Sequence, residues 1–258
     1  MIMLLPRVIP VLLVQNGGLV KTVKFSDPKY VGDPLNAVKI FNEKEADELV
    51  VLDIDASAQG REPDYKLIEN LAVECRMPLC YGGGIKSVEQ AQKILSLGVE
   101  KVALSSGAIK TPFMVEELSQ KVGAQSVVVV LDVKKRRFSR NYDNYIINGK
   151  TNTKTCPIEM AQKFEKLGAG EVVVNSIEYD GMMQGYDLEF VSRLKKNISL
   201  PVTALGGAGS YQDVKTLIDR EGIIGAAAGS LFVFKGKYRA VLINYPKPQE
   251  KRELLGLV

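Results

Sequence analysis

The sequence of 258 residues contains no histidine and no tryptophan, and it contains three cysteines. Without histidine the chain cannot build a Ser-His-Asp triad, a histidine-ligated zinc site or any catalysis by an imidazole base. Proton transfer must therefore fall to Asp, Glu, Lys, Tyr or Cys. The cysteines have neither metal-site spacing nor the even number of a disulfide set, which indicates reduced thiols in a cytoplasmic protein; they are Cys75, Cys80 and Cys156. We expect neither a metal ion nor a cofactor.

Long apolar runs are also missing, and none reaches the roughly 18 residues that a membrane-spanning helix requires. The apolar start, MIMLLPRVIPVLLV, is interrupted by Pro6, Arg7 and Pro10 and precedes no small-residue cleavage site. It therefore predicts a first strand rather than a signal peptide. The net charge of +4 is mild and favours an anionic small molecule over nucleic acid or a membrane as the ligand.

The chain shows a regular alternation of short β-branched runs with amphipathic stretches. Most of the runs are continuously apolar, as expected for strands that are covered on both sides. Eight strands with intervening helices in about 250 residues are typical of a TIM barrel, whereas a doubly wound sheet usually has fewer strands. We predict one α/β domain over 1–258, a single (β/α)8 TIM barrel with strands at 8–14, 48–55, 78–83, 101–106, 126–133, 171–177, 201–207 and 225–230.

An internal repeat divides the chain into halves of about 1–123 and 124–258. YGGGIKSVEQAQKIL (81–95) resembles LGGAGSYQDVKTLI (205–218) at an offset of 124. Two similar halves of four β/α units each are therefore predicted to build one closed barrel.

The same repeat singles out two positions at the ends of strands 1 and 5. VLLVQ (11–15) pairs with VLDVK (130–134), which places Leu13 where the second half has Asp132. Both should lie at the C-terminal mouth of the barrel, where active sites of this fold are found. A symmetric arrangement would offer two carboxylates there, one as acid and one as base. This chain offers one of the two.

Glycine and serine turns predict two phosphate sites at the mouth. Glycine pairs follow strands 3 and 7, and their backbone N–H groups can approach a phosphate closely because no Cβ atom intervenes. A Ser-Gly or Gly-Ser pair at strands 4 and 8 can add a hydroxyl and a helix N-terminus to each site. These turns predict a diphosphorylated ligand, held by Gly83, Gly84, Ser106, Gly206, Gly207, Gly229 and Ser230.

Three charged residues near strand ends are further candidates for substrate contacts. Asp53 ends strand 2, Asp180 lies in the loop after strand 6, and Lys21 follows strand 1. A carboxylate on such a loop is more often a helix cap or a turn former. A solvated lysine is as reasonable as a phosphate-binding one.

The opposite end of the barrel has a charged pattern of its own. Two cations and two anions stand at the starts of strands 1, 4, 2 and 6, and are therefore predicted to lie at the N-terminal face. They could form a closed ring of salt bridges across the barrel axis, or be ordinary surface charges that contribute little individually. The four residues are Arg7, Lys101, Glu48 and Glu171.

Together these segments resemble HisF, the cyclase subunit of imidazole glycerol phosphate synthase, over almost the whole chain. The resemblance rests on RVIPVLLVQNGGLVK, ELVVLDIDAS, YGGGI, VVVVLDVK, NGKTNT, GAGEVVVNSIEYDGMMQGYD and ALGGAG. It implies a half-barrel duplication that binds a diphosphorylated ribulosyl-aminoimidazole across the mouth. It also implies a glutaminase partner, HisH, which docks on the opposite face and releases ammonia into the barrel.

The resemblance implies roles for individual residues as well. Asp132 matches a carboxylate of the acid–base step, and the glycine and serine turns match the phosphate sites. The charged residues at the strand starts match a gate through which ammonia enters the barrel core; these are Arg7, Glu48, Lys101 and Glu171.

Leu13 departs from the family pattern. The family motif, as in CLDVKDG, has an essential aspartate here, followed by Lys and Asp where this chain has Gln15 and Asn16. A leucine cannot transfer a proton, so poor or absent formation of imidazole glycerol phosphate is predicted.

The gate residues and the phosphate turns match the family, whereas the aspartate at position 13 is absent. This combination favours a divergent paralogue that delivers ammonia to another substrate. Relatives of HisF near surface-polysaccharide genes resemble ammonia suppliers for sugar amidination, with a HisH-like glutaminase and a sugar amidotransferase as partners. Two alternatives stay open: a histidine-pathway cyclase with Asp55 or Glu178 as its acid, and a non-catalytic barrel that activates the glutaminase. A HisA-type isomerase fits less well, because it needs no ammonia path.

Overall fold

The computed structural model describes residues 5–257, and within that range eight parallel strands close into a barrel. Each strand pairs with the next along the chain, and β8 pairs with β1 to complete the circle. The predicted TIM barrel is therefore confirmed. The strands are β1 (Arg7–Gln15), β2 (Leu49–Asp53), β3 (Leu79–Gly82), β4 (Lys101–Leu104), β5 (Val127–Lys135), β6 (Glu171–Ser176), β7 (Val202–Leu205) and β8 (Gly225–Ala228).

A helix follows each strand and packs its apolar face against the outside of the barrel. In α3, for example, Val88, Ala91 and Ile94 are buried and recur at helical spacing, while the side chain of Ser87 caps the first turn. In the described range, no helix is both long and apolar enough to cross a bilayer. The helices are α1 (Pro34–Glu43), α2 (Tyr65–Glu74), α3 (Val88–Ser96), α4 (Phe113–Val122), α5 (Pro157–Lys166), α6 (Leu188–Lys195), α7 (Tyr211–Glu221) and α8 (Pro248–Leu254).

Alternation along the strands sorts side chains into an inner and an outer core. On β1, Ile9 and Val11 point into the barrel, whereas Val8 and Leu12 pack against the helix layer. The barrel interior is apolar between its two ends; its buried members are Ile9, Val11, Val50, Cys80, Ala103, Val128, Val130, Val173, Leu205 and Ala227. A barrel filled in this way has polar chemistry at the two ends and not along its axis.

The first strand of each predicted half runs beyond the barrel wall into an antiparallel hairpin. β1 turns at Asn16 and Gly17, both with positive φ, and returns as Gly18–Val23, which pairs further with Ser26–Gly32. That backbone is the one a two-residue type I′ hairpin requires. β5 likewise pairs with Tyr142–Ile146. The half-repeat boundaries remain a prediction.

Several strands are shorter than the sequence predicts, because their ends turn into helices. The predicted strands 101–106 and 225–230 stop at Leu104 and Ala228. Ser106 and Ser230 instead begin the short helices Ser106–Lys110 and Ser230–Val233. β5 is longer than predicted, because Lys134 and Lys135 continue its pairing outside the barrel.

Candidate active site at the mouth of the barrel

A cavity opens at the C-terminal ends of the strands, and all the residues predicted to contact substrate line it. Asp132 and Leu13 line it as well. Their roles toward a ligand remain predictions, but these residues do lie together at the mouth. The predicted substrate contacts that line the cavity are Lys21, Asp53, Gly83, Gly84, Ser106, Asp180, Gly206, Gly207, Gly229 and Ser230.

Asp132 is positioned by two neighbouring strands. It is the last inward-facing residue of β5 on the barrel side, and it lies in register with Asn175 of β6. Its Oδ1 atom accepts a hydrogen bond of 3.0 Å from Asn175 Nδ2, and its Oδ2 atom accepts one of 3.4 Å from Ser105 Oγ. Burial raises the pKa of Asp132 to about 7, and the two hydrogen bonds oppose this rise only in part. A carboxyl group that exchanges its proton near neutral pH suits acid–base work.

This raised pKa of Asp132 predicts how stability changes with pH. A carboxyl group whose pKa is raised on folding contributes stability below its unfolded pKa, and that contribution is lost as the pH rises through the folded pKa. The stability of the native protein relative to Asp132→Asn should therefore fall between the ordinary value of 3.8 and about 7. Urea denaturation at a series of pH values measures this difference, and a difference that stays constant over that range would contradict the assignment.

Leu13 occupies the corresponding place on β1. It is half-buried, packs against the apolar interior together with Leu52, and lies in register with Leu52 of β2 and Val20 of the hairpin. The side chain offers no proton donor or acceptor at this point of the cavity. The mouth therefore has a carboxyl group on β5 and an aliphatic group on β1.

Lys21 is buried, which excludes the solvated lysine that the sequence left open. Its Nζ atom donates a 2.6 Å hydrogen bond to the carbonyl oxygen of Val11. Burial lowers the pKa of Lys21 to about 8, against the opposing charge of Asp180. A Cβ atom at position 229 would lie 2.6 Å from Nζ, so the ammonium group stands directly beside the Gly229–Ser230 turn.

Asp53 and Asp180 line the cavity and also hold loops in place. Asp53 Oδ1 accepts hydrogen bonds of 3.0 Å from the backbone N–H groups of Asp55 and Ala56. Asp180 Oδ2 accepts bonds from Thr22 Oγ1 at 2.7 Å and from the N–H of Phe25 at 3.1 Å. Each carboxylate therefore has the turn-forming role that is common for loop carboxylates, and Asp180 ties the hairpin after β1 to the loop after β6.

The backbone at two of these turns requires glycine. Gly83 has a φ of +128°, and a Cβ atom there would lie 2.4 Å from the carbonyl oxygen of Asp53. At Gly207 the corresponding atom would lie 2.0 Å from the carbonyl oxygen of Gly185. The hydroxyl of Ser106 accepts a 3.0 Å hydrogen bond from the N–H of Ile147, so it also helps to hold the hairpin after β5.

The predicted site residues do not include several others of the cavity wall, among them Phe25, Asn148 and Asn175. Asn148 has a φ of +53°, and its side-chain amide donates to the carbonyl oxygen of Ile54 across the mouth. The dipeptide Asn148-Gly149 is a hairpin signal that could have placed this loop at the mouth. No local signal marks Asn175, which reads as one more residue of an apolar strand.

At the opposite end of the barrel, the four predicted charges form one closed ring, which we call the charged ring. Arg7 pairs with Glu48 and, at 2.7 Å, with Glu171. Lys101 pairs with the same two carboxylates at 2.8 and 3.1 Å. Thr203, which the sequence analysis missed, donates a 2.6 Å hydrogen bond to Glu171 Oε1. The charges alternate around the ring, so each one has two opposite neighbours.

The glutamates of the charged ring are more deeply buried than its cations. Their side chains are 6% (Glu48) and 9% (Glu171) exposed, against 29% for Arg7 and 20% for Lys101. Burial alone would raise the pKa of Glu171, but the charges of Arg7 and Lys101 prevail and lower it. Glu171 is therefore held in its ionised form at neutral pH.

Two other carboxylates were predicted as candidate acids, and neither of them lines the cavity. Asp55 is buried behind the mouth, where its Oδ1 atom accepts a 3.0 Å hydrogen bond from Gln15 Nε2. Glu178 is exposed on the loop after β6. Among residues 5–257, no three or more His, Cys, Asp or Glu side chains are grouped to hold a metal ion, and the cysteines form no disulfide.

Comparisons with known proteins agree with this architecture. Residues 7–239 match the family model described as "Histidine biosynthesis protein". The chain is 60% identical over 255 residues to a Vibrio vulnificus protein named provisionally as imidazole glycerol phosphate synthase subunit hisF3, covering 99% of this chain and 98% of the relative. A Pseudomonas aeruginosa protein, provisionally hisF2, is 52% identical over 93% of this chain and 95% of its own length. "Imidazole glycerol phosphate synthase subunit HisF" of Clostridium botulinum is 37% identical over 96% of this chain and 98% of its own.

Proposed function

The chain belongs to the HisF family of histidine biosynthesis proteins, and we propose that it is the ammonia-receiving barrel of a glutamine-dependent amidotransferase complex with altered mouth chemistry. In this proposal the barrel takes ammonia from a HisH-like glutaminase at the charged ring. It passes the ammonia through its interior to a phosphorylated acceptor at the mouth. Cyclisation to imidazole glycerol phosphate is weak or lost.

One observation carries the proposal: the charged ring is complete while the mouth lacks one of two carboxylates. All four ring residues are paired, so the entry side has the groups that the family uses as a gate. On the exit side Leu13 faces the cavity where the family has an aspartate. Loss of selection on the whole barrel would be expected to erode both ends. An intact charged ring with a changed mouth supports a barrel that still receives ammonia but delivers it to a different acceptor.

The barrel interior has the polarity that such a route requires. Between the ring and the mouth it is lined by aliphatic side chains, Cys80 and small residues such as Ala103 and Ala227. An ammonium ion would pay a large desolvation cost there, whereas neutral ammonia would not. Transfer along this axis would therefore favour ammonia in its nucleophilic form.

We further propose that the acceptor is a sugar whose acetamido group becomes an acetamidino group, as in surface-polysaccharide biosynthesis. In that conversion a nitrogen replaces the amide oxygen. The glycine and serine turns beside Lys21 would bind phosphate groups of the acceptor, and a sugar amidotransferase would activate the amide. The support for this acceptor is the resemblance to the family, and not a contact in the cavity.

Two other functions make different predictions for the same protein. A histidine-pathway cyclase is favoured by the relatives' names and by the phosphate turns, but it needs an acid that Asp55 and Glu178 are not placed to supply. A non-catalytic barrel that only activates the glutaminase would need the docking face, but neither the charges of the gate nor the chemistry of the mouth.

The test is a reconstitution with a HisH-type glutaminase and glutamine labelled with ¹⁵N in its amide. We expect glutamine hydrolysis to be stimulated, with cyclase product from the ribulosyl-aminoimidazole substrate at background. We also expect ¹⁵N in the sugar once the amidotransferase is added. Substantial cyclase turnover by the unmodified protein would overturn the proposal. Stimulated hydrolysis that survives both Asp132→Asn and Lys101→Ala, without ¹⁵N transfer, would favour the non-catalytic barrel.

A further inference from the structure

Asn175 is the inward-facing residue of β6 at the point where the apolar interior ends. Along this strand the residues that face the barrel axis are Glu171 in the charged ring, Val173 in the interior, and Asn175 in the cavity wall. Asn175 is therefore the first polar side chain on β6 that a molecule moving from the ring to the mouth would reach.

The amide of Asn175 uses one of its two polar ends. Nδ2 donates the 3.0 Å hydrogen bond to Asp132 Oδ1. While Asp132 is ionised, this bond sets the orientation of the amide, because a flipped amide would set two acceptor oxygens against each other. The side chain is nine-tenths buried, and its Oδ1 atom has no hydrogen-bond partner among the described residues. A buried acceptor without a donor costs free energy, so a molecule in the cavity, either water or a ligand, must supply the donor.

The surroundings of this oxygen restrict the chemistry of that ligand. A Cβ atom at position 206 would lie 3.5 Å from Asn175 Oδ1, so the glycine there leaves the oxygen bordered by backbone and not by a side chain. A phosphate or a carboxylate brings only acceptors and would leave the oxygen unsatisfied. The partner must be a donor. Ammonia fits this requirement, because it has three N–H groups on a single heavy atom and the proposed transfer delivers it to this point of the barrel.

We propose that Asn175 Oδ1 is a binding site for ammonia at the point where it leaves the barrel core, beside Asp132. This inference rests on the proposed ammonia transfer and names where the ammonia is held. An N–H group directed at Asn175 turns the nitrogen lone pair away from β6 and toward the cavity, where an electrophilic carbon would lie. Asn175 would thus position the nucleophile, while Asp132 stands ready to take a proton from it.

The direct test is NMR spectroscopy of the full chain with labelled asparagine side chains, titrated with ammonium chloride at two pH values above the pKa of Asp132. The higher pH is chosen so that a much larger fraction of the added nitrogen is neutral ammonia. Potassium chloride is the matched control, since potassium is a cation of similar size without N–H groups. Loss of a signal in Asn175→Leu assigns the resonance. We expect the side-chain carbonyl of Asn175 to shift saturably with ammonium chloride, at a lower total concentration at the higher pH, and not with potassium chloride. Equal responses to the two salts, or none, would overturn the inference.

A transfer experiment separates this inference from the proposed function. In the reconstituted complex, Asn175→Leu should lower the fraction of glutamine nitrogen that reaches the acceptor by about tenfold, with the remainder released as free ammonia. Asn175→Thr, which keeps a hydroxyl acceptor, should retain more transfer than the leucine variant. Full transfer by Asn175→Leu would refute the inference and leave the proposed function standing. An ammonium-specific shift without ¹⁵N transfer to any acceptor would refute the proposed function and leave the binding site standing.

Discussion

Replacement of Leu13 with aspartate is expected to raise turnover of the ribulosyl-aminoimidazole substrate by roughly 10²–10⁴-fold, the usual contribution of a positioned acid–base group. The reason is geometric, because Leu13 already lies in the cavity wall at the inward end of β1, and Asp132 fills the equivalent place on β5. Restoring the carboxyl would rebuild the acid–base pair. The measurement is steady-state cyclase turnover with ammonium salts as the nitrogen source, so that no glutaminase is needed.

Leu13→Asn is the matched control, since asparagine has the shape of aspartate without its proton chemistry. It should fold like the aspartate variant and leave turnover at the level of the native protein. Both variants lose packing between Leu13 and Leu52, so their stabilities should fall by similar amounts. If Leu13→Asp is folded and still inactive, the difference at this position does not explain the predicted lack of cyclase activity. The altered chemistry would then lie elsewhere in the mouth.

Removal of one cation from the charged ring is expected to have the largest effect on stability. Among the residues that the structure describes, Arg7→Met leaves the buried carboxylates of Glu48 and Glu171 with Lys101 as their one remaining cation. Breaking a buried ion pair from one side typically costs about 3–5 kcal/mol, because the partner's charge stays buried and uncompensated. Urea denaturation of the native and variant proteins measures this cost.

Two further variants make that measurement specific to the ring. Lys121→Met removes a lysine from an exposed pair with Glu117 at 2.8 Å and should cost less than about 1 kcal/mol. The double variant Arg7→Met/Glu171→Gln leaves Lys101 and Glu48 as a balanced pair, so it should recover part of the lost stability. A cost for Arg7→Met no greater than that for Lys121→Met would mean that the ring is not energetically coupled.

The charged ring should also respond to acid in a defined direction. Because the pKa of Glu171 is lowered on folding, its contribution is present above the unfolded pKa and is lost as the pH falls through the folded pKa. The stability difference between the native protein and Glu171→Gln should therefore shrink at acidic pH and remain large at neutral pH.

Much of the fold could be predicted because its signals are local. Continuous apolar runs such as VVVVL (127–131) predict strands covered on both faces, and eight of them with intervening helices left little choice of architecture. The errors fell at strand ends. Ser106 and Ser230 were assigned to strands but begin short helices, because a turn after the last paired residue changes the backbone without changing the hydrophobic pattern.

The candidate site could be predicted only at the level of which residues reach the mouth. The sequence identifies Asp132 and Lys21 as candidate site residues. It does not predict their altered pKa values, because burial depends on how the hairpins close over them. Asn175 was missed altogether. Asn175 is a candidate because it donates a hydrogen bond to Asp132 on another strand and because its Oδ1 atom has no partner among the described residues. Neither property can be predicted from the residues around it in the sequence.

The sequence by itself determined the barrel, the positions that face its two ends, and the presence of a leucine where its counterpart in the other half is an aspartate. These properties depend on periodicity and on residue identity, which are written along the chain. The tertiary structure decided that Arg7, Glu48, Lys101 and Glu171 close into a ring, that Lys21 is buried beside Gly229, and that Asn175 leaves an acceptor open next to Asp132. Distances and desolvation govern those features, and both arise only when strands far apart in the chain become neighbours.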